Sequence, residues 1–287
     1  MIPYDLHFHS TYSDGEWNVD EILAHAKKIG MKVLALTDHD TMAGQKEFLE
    51  KSKKAGIQAI PGVEVTCDFE GNRLHILGYG IDFENKALKE EIAKTYTNRA
   101  NRNELFYDKL ASFGFHINRD RLAEEQEKQT KPLRRLQITT VLMEDERNHK
   151  LASSAKEIEK EYLWPKGKAY INLSSPSGIK AVELIRNAGG FASLAHPGLD
   201  IDKFDDFEHI ASELRKNGLK GIEVYSWKHS KEQTKYYREF ADKNGYIITF
   251  GNDDHGRYDP YNSMGQIDLP DADILIKKIF EELDKLK

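Results

Sequence analysis

Apolar residues in the first eighty positions come in short unbroken runs, separated by stretches with a helical period. Ile2 to Phe8, Val33 to Leu36, Ile57 to Val65 and Leu74 to Tyr79 read as strands. Between the first three lie two amphipathic helices. One runs from an Asn18 cap to Ile29 and stops at Gly30; the other runs from Gly44 to Ala55 and stops at Gly56. Glu70-Gly71-Asn72 is a turn signal ahead of the fourth strand.

From Asn85 to about Tyr162 the pattern changes to several helices rich in Glu, Lys, Arg, Gln and Leu, with one weak strand at Phe115 to Ile117. Alternation then resumes. Helices at Pro176 to Asn187, Phe204 to Asn217 and Lys231 to Asn244 precede strands at Phe191 to Ala195, Gly221 to Tyr225 and Tyr246 to Phe250, and a last helix covers Ala272 to Leu286. Seven short strands alternating with helices predict an α/β fold on a parallel sheet, closed or open. The helical stretch is an insertion between strands four and five. The boundaries read from the pattern are 1–88 and 168–287 for the two parts of the α/β body and 89–167 for the insertion.

Composition narrows the class. With 39% apolar and 31% charged residues in 287, the chain can build a core and is not of disordered type. No apolar run approaches the roughly 20 residues of a membrane span. The N-terminus lacks a signal-peptide pattern and Cys67 is the single cysteine, so a cytoplasmic protein without disulfides is expected. The net charge of −6 argues against bulk binding to a polyanion.

The chemistry gathers at the strand ends. His7 and His9 close strand one, two residues apart and so on one face; Asp14 follows. Asp38, His39 and Asp40 close strand two, Glu64 closes strand three and His75 lies in strand four. His196 follows strand five, and Asp253 and His255 follow strand seven. Any one of these histidines alone reads best as a surface or core residue. Together they share one edge of the sheet, the edge that carries active sites in barrels and open α/β sheets. Imidazole and carboxylate without thiolate suit zinc, manganese or iron. Nine donors exceed the needs of one ion and imply two or three, an arrangement suited to phosphate ester hydrolysis.

The stretches DLHFHSTYSDG (Asp5–Gly15), ALTDHDT (Ala35–Thr41), PGVEVT (Pro61–Thr66), LHILGY (Leu74–Tyr79), AGGFASLAHPG (Ala188–Gly198), GIEVY (Gly221–Tyr225) and GNDDHG (Gly251–Gly256) resemble, in order, the PHP (polymerase and histidinol phosphatase) superfamily of metal-dependent phosphoesterases. The resemblance implies a distorted (β/α)7 barrel with a mostly helical insertion. It implies one ion on His7, His9, Glu64 and Asp253, a second on Asp14, His39 and His255, and a third on Glu64, His75 and His196. Asp38 and Asp40 would orient His39 and nearby donors, with helix capping as the plainer role. His196, Asp38 and Asp40 form the candidate catalytic set, and His196 and His229 are the candidate proton donors to the leaving group.

The insertion resembles the subgroup of nucleoside 3′,5′-bisphosphate phosphatases and 5′-to-3′ exoribonucleases, through TNRANRNELFYDKLASFGF, Arg135 and Lys168. Arg99, Arg102, Arg135, Lys168 and His229 are therefore the candidate substrate-binding residues, set against a solvated charged helix face for Arg99 and Arg102. The chain departs from that subgroup at Gln137, at Asn252 and in lacking a proline after Lys168. The expected activity is hydrolysis of a phosphate monoester of a small metabolite, nucleotides first, by in-line attack of a metal-bound hydroxide. The alternatives are a cyclic-phosphate or oligonucleotide phosphodiesterase acting on short RNA, and a metal-stabilised binding module. No membrane partner is expected.

Overall fold

The computed structural model describes residues 2–127, 132–164, 167–171, 175–256 and 264–286, leaving aside the side chains of Tyr96 and Arg99. The Arg99 side chain thus lies outside the described residues. The chain divides into two compact units, residues 1–93 with 176–287 and residues 94–175. The pattern-based boundaries fall at 88/89 and 167/168.

The larger unit is a seven-stranded sheet in sequence order: β1 (Tyr4–Phe8), β2 (Val33–Leu36), β3 (Gln58–Phe69), β4 (Asn72–Tyr79), β5 (Phe191–Leu194), β6 (Gly221–Tyr225) and β7 (Ile247–Phe250). β1, β2, β5, β6 and β7 are buried throughout except for Ile247 at the start of β7, the pattern of strands covered on both faces. Helices α1 (Val19–Ile29), α2 (Gln45–Ala55), α7 (Gly178–Asn187), α9 (Phe204–Lys216), α10 (Lys231–Asn244) and α11 (Ala272–Asp284) belong to this unit. Local sequence sets their ends. Asn18 caps α1 and forms a capping box with Glu21, and Gly30 closes it at φ 80°. Ser230 and Gln233 make the same box on α10.

The parallel sheet favoured by the alternation is parallel except at one strand. β4 runs antiparallel to both neighbours, β3 and β5. The cause is the turn at Glu70-Gly71, which joins β3 to β4 as a hairpin pairing Phe69 with Asn72 and carries β3 four residues past Val65. A parallel pair needs a crossover far longer than two residues.

The sheet curls until β7 meets β1, giving a nearly closed barrel. Phe8 bridges to Asp254, the His9 N–H donates to the Asp254 carbonyl at 2.9 Å, and the Asp253 N–H donates to the His7 carbonyl at 2.7 Å. Buried Asp5 pins the seam by accepting from the N–H groups of His7 and Asn252 at 3.1 Å and of Gly265 at 3.2 Å. The seam is tight at Gly251, where a Cβ would stand 2.2 Å from the His7 Cβ.

The smaller unit takes most of α3 (Lys86–Ser112), then α4 (Arg119–Glu127), α5 (Arg135–Met143), α6 (Ala155–Ile158) and a π turn at Glu159–Leu163. Its core gathers Phe106, Leu110, Phe115, Ile138 and Leu163. Phe115 to Ile117 is not a strand. It is a loop, held where Asn148 accepts the His116 N–H at 2.7 Å and donates to the His116 carbonyl at 3.0 Å. Its apolar residues fill this local core instead of a sheet.

Replacing Gly251 with alanine is expected to push β7 off β1 at His7 and cost about 1–3 kcal/mol. Urea unfolding followed by circular dichroism would measure the loss.

Candidate metal centre

The strand ends of the larger unit converge on one buried carboxylate, Glu64. Its Oε2 lies 2.9 Å from His39 Nδ1 and 3.3 Å from both His7 Nε2 and His9 Nε2. Its Oε1 lies 2.9 Å from His196 Nε2. Asp253 Oδ1 adds a second acidic edge, 3.0 Å from His9 Nε2 and 3.4 Å from His7 Nε2. Asp14 stands 3.3 Å from His255 Nε2, and the His255 ring stacks on His9 at 4.2 Å between centroids.

The nine residues form three overlapping groups whose donor atoms lie within 4.8 Å of one another: His7, His9, Glu64, Asp253; His9, Asp14, His39, His255; and Glu64, His75, His196. The donors suit a divalent ion of borderline hardness. Buried His7 Nε2, His39 Nδ1, Glu64 Oε2 and His75 Nε2 make no hydrogen bond, although such atoms are normally satisfied. These residues fit bound metal.

The backbone explains the convergence. Residues 38–40 continue β2 alongside β3, with the Glu64 N–H donating to the Asp38 carbonyl at 3.2 Å and the Asp40 N–H to the Glu64 carbonyl at 2.9 Å; this sets His39 opposite Glu64. Asp40 and Asp253 adopt φ of 49° and 51°, left-handed conformations that an aspartate tolerates at some strain.

Asp38 and Asp40 do not cap a helix. Asp38 accepts from the N–H and hydroxyl of Ser10, at 2.8 and 2.7 Å, and from the Ser13 hydroxyl, fixing the loop after His9. Asp40 accepts from the N–H and hydroxyl of Thr66, both at 2.8 Å. His229 donates from Nδ1 to the Val224 carbonyl at 2.9 Å and accepts the Gly198 N–H at Nε2 at 3.2 Å. Burial pushes its pKa down, which suits this neutral bridging role.

The other proposed substrate residues lie in the smaller unit. Arg102 is buried, with its guanidinium 3.3 Å from Asn103 Oδ1 and over the Phe106 ring. Arg135 is the first residue of α5. Lys168 is 2.9 Å from Glu161 Oε2 and lies over the Tyr162 ring.

Three contributors escaped the sequence reading. Glu223, inside β6, takes His7 Nδ1 at 2.9 Å on one oxygen and the His196 N–H at 2.7 Å on the other. Asp200, at the end of the short helix α8 (Pro197–Asp200), sets one oxygen 3.0 Å from His75 Nδ1 and 3.4 Å from His196 Nδ1. Carboxylates behind the Nδ1 atoms turn Nε2 of these imidazoles inward and raise their basicity. Lys228 lies 3.3 Å from Asp253 Oδ2. The GIEVY and HPG stretches were the available signals for Glu223 and Asp200; Lys228 had none.

Electrostatics follow the crowding. Burial alone would push His7 down, but Glu223, Glu64 and Asp253 outweigh it and raise it to about 10. His9 is likewise raised to about 10 against burial, by Asp253 and Glu64. Burial pushes Glu64 up, yet His39, His7 and His75 hold it well below the usual carboxylate range. Asp253 is held low against burial by His255 and His7.

A nearly closed seven-stranded barrel with imidazole and carboxylate donors at its strand ends defines a metal-dependent phosphoesterase. The PHP domain pattern matches residues 5–249, and the chain belongs to that family of phosphatases and phosphodiesterases. It is 29% identical over 256 residues to the phosphoribosyl 1,2-cyclic phosphate 1,2-diphosphodiesterase of Eggerthella lenta, covering 88% of this chain and 94% of that one. It is 29% identical over 290 residues to the 3′,5′-nucleoside bisphosphate phosphatase of Chromobacterium violaceum, covering 99% and 97%. A solved amidohydrolase from Chromobacterium violaceum, with sulfate bound and no metal, superposes with a TM-score of 0.84 at 28% identity, covering 99% of this chain and 97% of the other. Among the described residues no helix is long and apolar enough to cross a membrane.

Asp200→Asn is expected to weaken binding of an ion at Glu64, His75 and His196 by about 10–100-fold. Chelator competition, counting zinc per chain, would read the change.

A pH dependence also follows. Protons on His7 and His9, at about 10 in the folded chain against 6.5 when free, stabilise the chelator-treated protein fully below pH 6.5. That stabilisation is lost as pH rises through 10. The depressed carboxylates Glu64 and Asp253 contribute stability above their free values of 4.5 and 3.8, lost on acidification. Stripped protein should therefore melt at its highest temperature near pH 5–6.5 and lower toward pH 10 in scanning calorimetry. Metal displaces those protons, so ion binding should tighten over the same rise in pH.

Proposed function

We propose that the enzyme hydrolyses a phosphate monoester of a small phosphorylated metabolite, most favourably a nucleotide such as a 3′,5′-bisphosphate, at the edge of the barrel that carries Glu64. The observation that carries this reading is the sharing of one buried carboxylate among four imidazoles within 3.3 Å, on the rim where three donor groups overlap. His7, His9, Glu64 and Asp253 would hold one divalent ion, His39, His255 and Asp14 a second, and His75 and His196 with Glu64 a third; manganese, zinc and iron all suit the set. Bound ions supply Lewis acidity, which lowers the pKa of water and offsets charge on phosphate oxygens.

The chain's own groups do the rest. Glu223 and Asp200 hold the imidazoles in register. Asp38 and Asp40 keep the loops that carry His9 and His39 in place. Lys228, beside Asp253, offers an ammonium to an incoming phosphate oxygen. His229, with both ring nitrogens engaged inside the protein, serves as a structural tie and leaves proton donation to other groups. The relative from Chromobacterium violaceum favours the bisphosphate, since it aligns over nearly the whole of both chains. Cyclic phosphodiester hydrolysis is the second reading, favoured by the match to the Eggerthella lenta diesterase.

Phosphate release with manganese, from nucleoside monophosphates, 3′,5′-bisphosphates, cyclic phosphodiesters and a 5′-phosphorylated short RNA, tests both. Release from the bisphosphate should dominate, and His39→Ala should lower kcat/KM by at least ~100-fold. Preference for a cyclic diester would select the second reading. Absence of release from every substrate by metal-loaded protein would overturn both.

A further inference from the structure

The turn after β6 carries a feature that the donor cluster leaves unused. β6 ends at Tyr225 and α10 begins at Lys231, so residues 226–230 lie on the barrel edge that holds the donors. Three hydrogen bonds tie this turn: the Lys228 N–H donates to Ser226 Oγ at 3.4 Å, and His229 is engaged at both ring nitrogens. Trp227 stands out from it 42% exposed, an unusual position for the largest apolar side chain. The Lys228 ammonium lies 4.1 Å from the centre of the Trp227 ring and 3.3 Å from Asp253 Oδ2. Two short contacts in series thus join an open indole to a carboxylate of the donor cluster.

Beside the indole lies a cavity of about 620 Å³, within the range of small-ligand sites. Tyr225, Trp227, Ile267 and Pro270 give it apolar wall. Its cations Arg238 and Lys235 face Asp242 at 2.7 Å and Glu239 at 3.9 Å, so what the cavity offers a ligand is room and apolar wall for a flat ring.

We propose that Trp227 and Lys228 form the leaving-group subsite, in which the indole stacks on the base of a nucleotide and the ammonium binds a non-bridging oxygen of the phosphate being hydrolysed. The proposal rests on the phosphoesterase reading above and narrows its substrate to molecules with an aromatic base. One sugar separates phosphate from base in a nucleotide. The chain of Asp253, Lys228 and Trp227 offers the matching order of phosphate contact followed by stacking surface. An aromatic face accepts any base, so the subsite selects nucleotides as a class without choosing among bases.

The experiment compares adenosine 3′,5′-bisphosphate, AMP and ribose 5-phosphate on manganese-loaded enzyme, with zinc or manganese content measured for every variant. Trp227→Ala should lower the ratio of kcat/KM for the nucleotides to that for ribose 5-phosphate by about tenfold or more. Trp227→Phe should restore most of the ratio. Lys228→Ala should lower kcat/KM for all three substrates while metal content is kept. AMP should quench tryptophan fluorescence in the parent enzyme and much less in Trp227→Phe, where Trp17 and Trp164 remain. A ratio unchanged in Trp227→Ala, or quenching unaltered in Trp227→Phe, would overturn the stacking role. Lys228→Ala activity restored in full by added metal would overturn the phosphate contact. If no substrate is turned over, the phosphoesterase reading fails, and the quenching experiment still decides whether a nucleotide sits on Trp227.

Discussion

The burial of the Glu64 carboxylate is the constraint on which the rest of the structure depends. A lone carboxylate in a barrel interior would take up a proton rather than bear its desolvation. Here four imidazoles from three segments stand within 3.3 Å of it, and they hold it ionised. The compensation is possible only when the ends of β1, β2 and β5 arrive together at β3. Closing the barrel and building the site are one event.

The cluster would still be loose without a second layer of acids. Glu223 and Asp200 engage the remote nitrogens of His7, His75 and His196, and Asp38 and Asp40 lock the adjoining loops. A metal site needs such support because an imidazole can rotate and change which nitrogen carries its proton. Asp5 does the corresponding work for the backbone, joining β1 to the loops after β7 where the strands barely pair. Two of the left-handed aspartates, Asp40 and Asp253, stand beside the donor cluster, where their backbone strain is held by the surrounding hydrogen bonds.

Much of this was legible without coordinates. Helix caps such as Asn18 with Glu21, and Gly30 behind them, are contacts between near neighbours, and a local pattern is enough to read them. Buried strands appear as unbroken apolar runs. Most of the donors were visible because they fall at or just beyond the end of such a run; His75 lies inside one. The direction of β4 was misread because alternation is blind to it, although the two-residue turn at Glu70-Gly71 carried the information. Phe115 to Ile117 resembled a strand because an apolar triplet looks alike whether it joins a sheet or fills a small helical core.

The sequence by itself determined most element types, the order of the strands along the chain and the nine candidate donors, since these depend on periodicity and on side-chain chemistry at fixed local positions. Only the tertiary structure decided which partners stand behind them. Glu223 is 216 residues from His7, and Asp200 is 125 residues from His75. Asp253 lies near Lys228 only because β6 and β7 are neighbours in the sheet. Nothing local marks an acid as the partner of a distant imidazole, or a lysine in a short turn as the partner of Asp253. Such pairings arise when strands curl into a barrel and bring the ends of β1 through β7 to a common rim, because desolvation then forces each buried charge to find a partner across the fold.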